Sequence, residues 1–286
     1  MPDILSGVLR ALSFMLQLQA AGAVFFAAAF GPALTISAAG IRKLAQASAT
    51  IAVCVVAVQY VLEAARMAGD MAGIFDDQLQ ALAWDSNVGG SFVVRELGLL
   101  LIVAGTRRVA AVRGFALLGV LGAVLVAVSF TLMGHTVHHA HRPILAPLLL
   151  AHLLIVAFWF GALWPLCLVS QRESRERAAR VVRLFSATAF WLVPVILIVG
   201  VAMAALLLPD IAALRQPYGR LLVTKVILFA VLMALAALNK WRLGPALQSP
   251  DLQAGRAFRG VVISEYVIIA GVLAVTAVMT EFFSPE

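Results

Sequence analysis

Five histidines fall between positions 135 and 152, and the chain has no others. His135, His138, His139 and His141 form the run GHTVHHAH, and His152 follows in the next apolar stretch. Imidazole is the commonest protein metal ligand and suits copper, zinc, nickel and iron, so the run marks metal affinity. A turn in the run would let His135 share one ion with His138 or His139. Met133, just before His135, adds a soft thioether of the kind that favours Cu(I). Met203 and Met279 can come to a similar depth on later apolar stretches. The plainer alternative is a loop whose histidines are merely hydrophilic. Cys54 and Cys167 lie in apolar runs, without CxxC or zinc-ribbon spacing, and read as small core residues.

A second set of residues is costly where it stands. Arg10, Glu63, Arg66, Arg95, Glu96, Lys225 and Glu265 all lie within or at the edges of apolar stretches. A charge in a membrane calls for a partner or a function. Glu63 and Arg66 are three residues apart, on one helical face, and read as an ion pair. Arg95 is expected to pair with a carboxylate. Singly, each charge is explained by snorkelling or structural pairing. Together they predict a polar, hydrated cavity opening to one side of the membrane.

The elements that hold these residues follow from composition. Of the 286 residues, 63% are hydrophobic and only 12% charged, and the mean hydropathy is +1.02. That balance cannot cover a soluble core, and spanning a bilayer takes about 20 apolar residues per helix. The runs are continuous rather than alternating, which excludes a β-barrel. The expected fold is all-α: a polytopic membrane protein, a bundle of about eight transmembrane helices forming one integral membrane domain over residues 1–286. The apolar segments run over Ile4–Ala33, Ser48–Ala68, Ser91–Thr106, Val112–Gly134, Ile144–Val169, Leu184–Leu208, Gly219–Asn239 and Val261–Phe283. The first is too long, and lacks the basic start and cleavage pattern, for a removable signal peptide.

Alternate connections carry 14 of the 21 Lys and Arg, among them Arg42, Lys43, Arg107, Arg108, Arg172, Arg175, Lys240 and Arg256. That side is expected to be cytoplasmic, and an even number of segments then puts both termini outside. The net charge of +7 is explained by this bias, with no nucleic acid needed. The basic segments beginning at Arg172 and Arg256 could lie on anionic membrane lipid, although positive-inside anchoring accounts for them too. The Gly69–Gly90 connection, with Asp70, Asp76, Asp77, Asp85, Phe75 and Trp84, is either a small lid or partner-docking surface or a plain solvated loop. Only Glu265 among the intramembrane charges falls in the inner half. The site is therefore expected in the outer half.

The stretches MGHTVHHAHRP, AHLLIVAFWFGALWPL, YGRLLVTKVILFAVLMALAALNKWRLGPAL and FRGVVISEYVIIAGVLAVTAVMT resemble the copper resistance protein D family of bacterial inner-membrane proteins. The likeness is strongest over residues 91–283. It rests on Gly134-His135, the His152–Gly161 segment with Trp159, Tyr218-Gly219 followed by Lys225 and Asn239, and Glu265 near the start of the last segment. The resemblance implies copper handling at the bacterial inner membrane, beside a small periplasmic copper-binding partner, with His135 and His152 as copper-site histidines. The chain departs from the family pattern at Leu148–Leu150, where an acidic residue is often found, and at Gly161-Ala162.

A copper permease is thus the leading expectation, with external His and Met residues capturing the ion and Glu265 as an inner gate. No GxxxxGK[ST] loop is present, so transport would run on a gradient, the membrane potential or metal exchange. One alternative is a haem-binding membrane oxidoreductase with His135 and His152 as axial ligands. Another is a non-transporting copper-binding assembly or sensor protein. HExxH and GxSxG are absent, and the chain is not expected to be an enzyme.

Overall fold

The computed structural model describes residues 2–107, 113–134, 137, 139–208, 210–248 and 252–283. Among the described residues ten helices follow one another: α1 (Pro2–Phe30), α2 (Ser37–Ala68), α3 (Asp77–Asp85), α4 (Asn87–Gly105), α5 (Arg113–Phe130), α6 (Arg142–Arg172), α7 (Arg175–Leu207), α8 (Pro217–Leu238), α9 (Gly244–Ala246) and α10 (Leu252–Phe282). The described residues contain no strand. Helices satisfy their own backbone polar groups, which hydrocarbon cannot. Seven of them are long and apolar enough to cross a membrane, and Ala116–Phe130 of α5 is a shorter apolar one.

The helices outrun the apolar segments that announce them. α2 begins at Ser37 rather than Ser48, α7 at Arg175 rather than Leu184, and α10 at Leu252 rather than Val261. A hydropathy pattern sees only the part of a helix that lies in hydrocarbon, whereas the hydrogen-bond ladder continues into the polar layer. Arg42, Lys43 and the arginines from 175 to 183 therefore stand on helical extensions. Only Glu173 and Ser174 separate α6 from α7.

The Gly69–Gly90 connection is not a plain loop. It folds into a short 3-10 turn, Met71–Phe75, and α3. Asp70 accepts from the Ala72 N–H, and Asp76 accepts from the Gln78 and Leu79 N–H groups. Asp210 caps the turn before α8 in the same way, through Ala213. These aspartates do the work of N-caps, which satisfy the otherwise orphan N–H groups of a first turn. Gly69 ends α2 in the left-handed conformation at φ 78°, where a side chain would be strained.

α1 is the central helix. It packs on α2, α4, α5, α6 and α10, and Ala20, Ala21 and Ala23 are all buried. Small residues let backbones approach, as expected inside a membrane bundle. A Cβ on Gly22 would stand 1.8 Å from the Ala157 carbonyl oxygen of α6, and one on Gly161 2.4 Å from the Gly22 Cα. α4 and α5 meet similarly, through Gly98 and Gly122. α7 and α8 are peripheral: only 11% and 6% of their apolar windows are buried, against 56% for α1.

Two sets of contacts define the bundle's ends. At the basic end, Glu173 accepts from the N–H groups of Thr35, Ile36 and Ser37 and from the hydroxyls of Thr35 and Ser37, at 2.6–2.9 Å. It caps the start of α2 from across the bundle, and Arg177 donates to the Thr35 hydroxyl at 2.8 Å. At the opposite end, Arg10 of α1 meets Glu281 of α10 at 2.6 Å. The beginning of the first helix and the end of the last thus share one end.

Burial opposes the charge on Glu173, but the donors from Ser37 and Thr35 prevail and hold its carboxyl at about 2, below the ordinary 4.5. Its contribution is complete above the ordinary value and is lost as pH falls through about 2. Glu173→Ala is expected to speed hydrogen exchange of the Thr35–Ser37 amides at neutral pH by roughly tenfold or more. Unchanged exchange would show that the cap carries no local stability.

Candidate metal centre and intramembrane polar cluster

Arg10, Glu63 and Arg66 collect at the end opposite the basic one, and the residue that organises them is Glu281. Its side chain is 1% exposed, and its two oxygens take different arginines: Arg10 Nε at 2.6 Å and Arg66 Nε at 3.2 Å. Arg66 also donates to Glu63 at 2.8 Å, the i, i+3 pair expected on α2. Two carboxylates and two guanidinium groups on α1, α2 and α10 therefore neutralise one another where water is scarce. The arginine fork lets Arg66 face two carboxylates at once, Nε towards Glu281 and Nη1 towards Glu63, which the single ammonium of lysine would not reproduce.

Arg95 does not make the carboxylate pair expected of it. It donates from Nε to Ser129 Oγ at 3.0 Å and from Nη2 towards Met133 Sδ at 3.8 Å, and its Cζ lies 4.6 Å from the centre of the Phe130 ring. Adjacent Glu96 points elsewhere, with a buried Oε1 that has no hydrogen-bond partner. Residues 95 and 96 leave a helix about 100° apart, so they cannot both face α5. Arg95 also feels the charge of Arg10, which joins it to the cluster around Glu281.

Met133 is thereby committed to Arg95. Gly134 follows at φ 84°, turning the chain towards the histidine run. His135 and His138 lie outside the described residues. His139 and His141 face one another with ring centres 5.5 Å apart, and His139 Nδ1 accepts from the His141 N–H at 3.1 Å. No group of three or more His, Cys, Asp or Glu side chains able to hold a metal occurs among the described residues. His152, on α6, has a buried Nδ1 with no hydrogen-bond partner among the described residues. Lys225 of α8 is close enough to act on it electrostatically.

At the other end, Glu265 of α10 is 3% exposed. Its Oε1 accepts from Asn239 Nδ2 at 2.6 Å, and Trp159 is a second donor to the same carboxyl. Asn239 opens a π-helical turn, Asn239–Leu243; such turns re-aim side chains and recur at functional sites. Cys167 is buried within electrostatic range of Glu265, whereas Cys54 is exposed on the outside of α2.

Glu281 lies inside the last apolar segment, but its partners stand on α1 and α2, which spacing along the chain does not reveal. Ser13, Gln17, Gln19 and Ser129 were also passed over, being uncharged. All four are buried; Gln17 donates to Ser13, and Gln19 Nε2 donates to the Gly161 carbonyl at 3.1 Å. A glutamine pair inside the first apolar segment was the available signal. Glu281→Ala is expected to cost roughly 2 kcal/mol, because it leaves two half-buried arginines without their shared carboxylate. Thermal unfolding in detergent measures this, and adding Arg10→Ala should recover part of the loss. Strictly additive losses would show that the ions are not coupled.

Residues 179–279, from α7 to near the end of α10, match the model of a family described as copper resistance protein D. The matched region contains Lys225, Asn239 and Glu265 and stops short of Glu281. No curated protein and no solved structure matches the chain. Over residues 179–279, then, this multi-pass helical chain is similar to the copper resistance protein D family.

Proposed function

We propose that this chain is a permease of the bacterial inner membrane that takes copper from the periplasm toward the cytoplasm. The positive-inside bias puts the end bearing Arg42, Arg172, Arg177 and Lys240 in the cytoplasm and the Arg10–Glu281 end in the periplasm. The observation that carries the reading is His152. A buried imidazole nitrogen without a partner among the described residues calls for an explanation, and a metal ion gives one on a chain whose residues 179–279 match a copper resistance family.

In this reading the ion is captured by the histidine run, His135 first, with His138, His139 and His141 as outer ligands. His152 receives it at the level of Lys225. Met133 supports the site through Arg95 more than it competes for metal, since its sulfur already faces that guanidinium. Lys225 repels a second cation and so favours one ion at a time. Towards the cytoplasm, Glu265 with Asn239, and Cys167 nearby, form the inner gate. A small periplasmic copper-binding protein would dock against the periplasmic connections, where Phe75 is 86% exposed.

Copper uptake into proteoliposomes tests the proposal. His135→Ala and His152→Ala should each lower uptake by at least about tenfold, as loss of a metal-supporting group does. A wild-type protein that binds copper but moves none would refute the permease. Uptake that survives both changes and is lost in the His138→Ala, His139→Ala, His141→Ala combination would assign capture to the wrong histidines.

A further inference from the structure

α7 leans on α6 and touches α9 at the basic end, but it does not pack along α8, which leans on α10 instead. The gap between them is a cleft in two continuous parts. One has a volume of about 490 Å³ and the other about 250 Å³, and they share Val182, Ser186, Phe190 and Lys240. The deeper part is walled by Leu163, Phe185, Val193 and Met233 and is almost wholly apolar. The shallower part opens at the basic end between Arg183 and Lys240.

The mouth is cationic and uncompensated. Neither Arg183 nor Lys240 is paired with a carboxylate among the described residues. Lys240 Nζ lies 3.7 Å from the centre of the Phe190 ring, a contact that holds the ammonium at the mouth while leaving its N–H groups available. Glu265 is on the far wall of the deeper part, its carboxylate engaged by Asn239, so it does not neutralise the mouth. Trp241 and Trp191 flank the cleft and are 71% and 74% exposed; the first, beside Lys240, sits where interfacial tryptophans anchor a helix.

Depth fixes the kind of occupant. Val193 is ten residues beyond Arg183 on α7, about 15 Å along the helix axis. That is half of the ~30 Å hydrocarbon core, the depth of one leaflet. A slot of leaflet depth, apolar inside and doubly cationic at its mouth, matches a lipid with a negative headgroup. We propose that the α7–α8 cleft binds one anionic phospholipid of the inner leaflet, its phosphate between Arg183 and Lys240 and one acyl chain along Phe185, Val193 and Met233. Basic pockets between transmembrane helices hold anionic headgroups in this way. The proposal rests on the positive-inside orientation and not on copper.

Native mass spectrometry of the purified full chain, titrated with phosphatidylglycerol or phosphatidylcholine of the same chains, tests it without copper. The wild type should retain one phosphatidylglycerol preferentially. Arg183→Gln with Lys240→Gln should weaken that retention by on the order of tenfold, with phosphatidylcholine binding unchanged. Val193→Trp, which fills the chain slot, should weaken it as well, and glycerol phosphate in solution should not displace the lipid. Exposed Arg42 and Lys43, at the same end but away from the cleft, supply the control: Arg42→Gln with Lys43→Gln should leave the tight site intact. Equal retention of the two lipids would overturn the proposal. So would an equal loss in the control variant, which would reveal diffuse attraction to a basic surface, or displacement by glycerol phosphate, which would reveal a headgroup site without a chain slot.

Discussion

A charge left alone in hydrocarbon is the most expensive thing this chain could contain, and the bundle is arranged so that the charges at the end opposite the basic one turn inwards. The shared carboxylate of Glu281 is the centre of that arrangement. It joins the first, second and last helices, and through Arg10 it sets the field in which Arg95 sits. Arg95 then finds hydroxyl, sulfur and ring partners on and just after α5 instead of a carboxylate. Each choice limits the next. With Glu63 and Glu281 both taken by Arg66 and Arg10, Arg95 must be held by weaker, neutral partners, and Met133 is drawn in as one of them.

The apolar scaffold makes this polar cluster possible. α1 can stand at the centre because its middle is built of alanine and glycine, and Gly22 meets Gly161 almost backbone to backbone. That closeness brings Arg10, Ser13 and Gln17 of α1 within the bundle rather than against lipid. α7 and α8 have no such small-residue seam with each other and stay at the edge. The molecule thus has a dense half around α1 and an open flank. The Glu265–Asn239 pair lies where the two meet.

The fold class and the segregation of charge were legible in the sequence because both are set by transfer free energies that scale with composition. Helix ends were not: Ser37, Arg175 and Leu252 begin helices in polar stretches where hydropathy is silent. The Glu63–Arg66 pair was legible from spacing, since both ends lie on one helix. The partner of Arg10 was not, because a contact between α1 and α10 depends on how the bundle closes. Arg95 illustrates a limit of another kind. Charge complementarity pointed to a carboxylate, but helical phase turned its neighbour Glu96 away and offered Ser129 instead. The histidines marked a region of metal affinity but could not rank themselves, because a run of imidazoles on a connection has no periodicity to orient it.

The bridge from Arg10 and Arg66 to Glu281 also has an order in time. A membrane chain is made and inserted from its first helix onward, so both arginines enter the bilayer long before their shared carboxylate has been synthesised. Until α10 arrives, Arg66 has Glu63 on its own helix, while Arg10 has only the more distant field of that same Glu63. The early bundle must therefore keep the start of α1 near the water boundary and draw it fully in only when the last helix docks. Insertion of α10 would then act as the final latch, and a chain stopped short of Glu281 would carry an exposed, unneutralised arginine that quality control could read as unfinished.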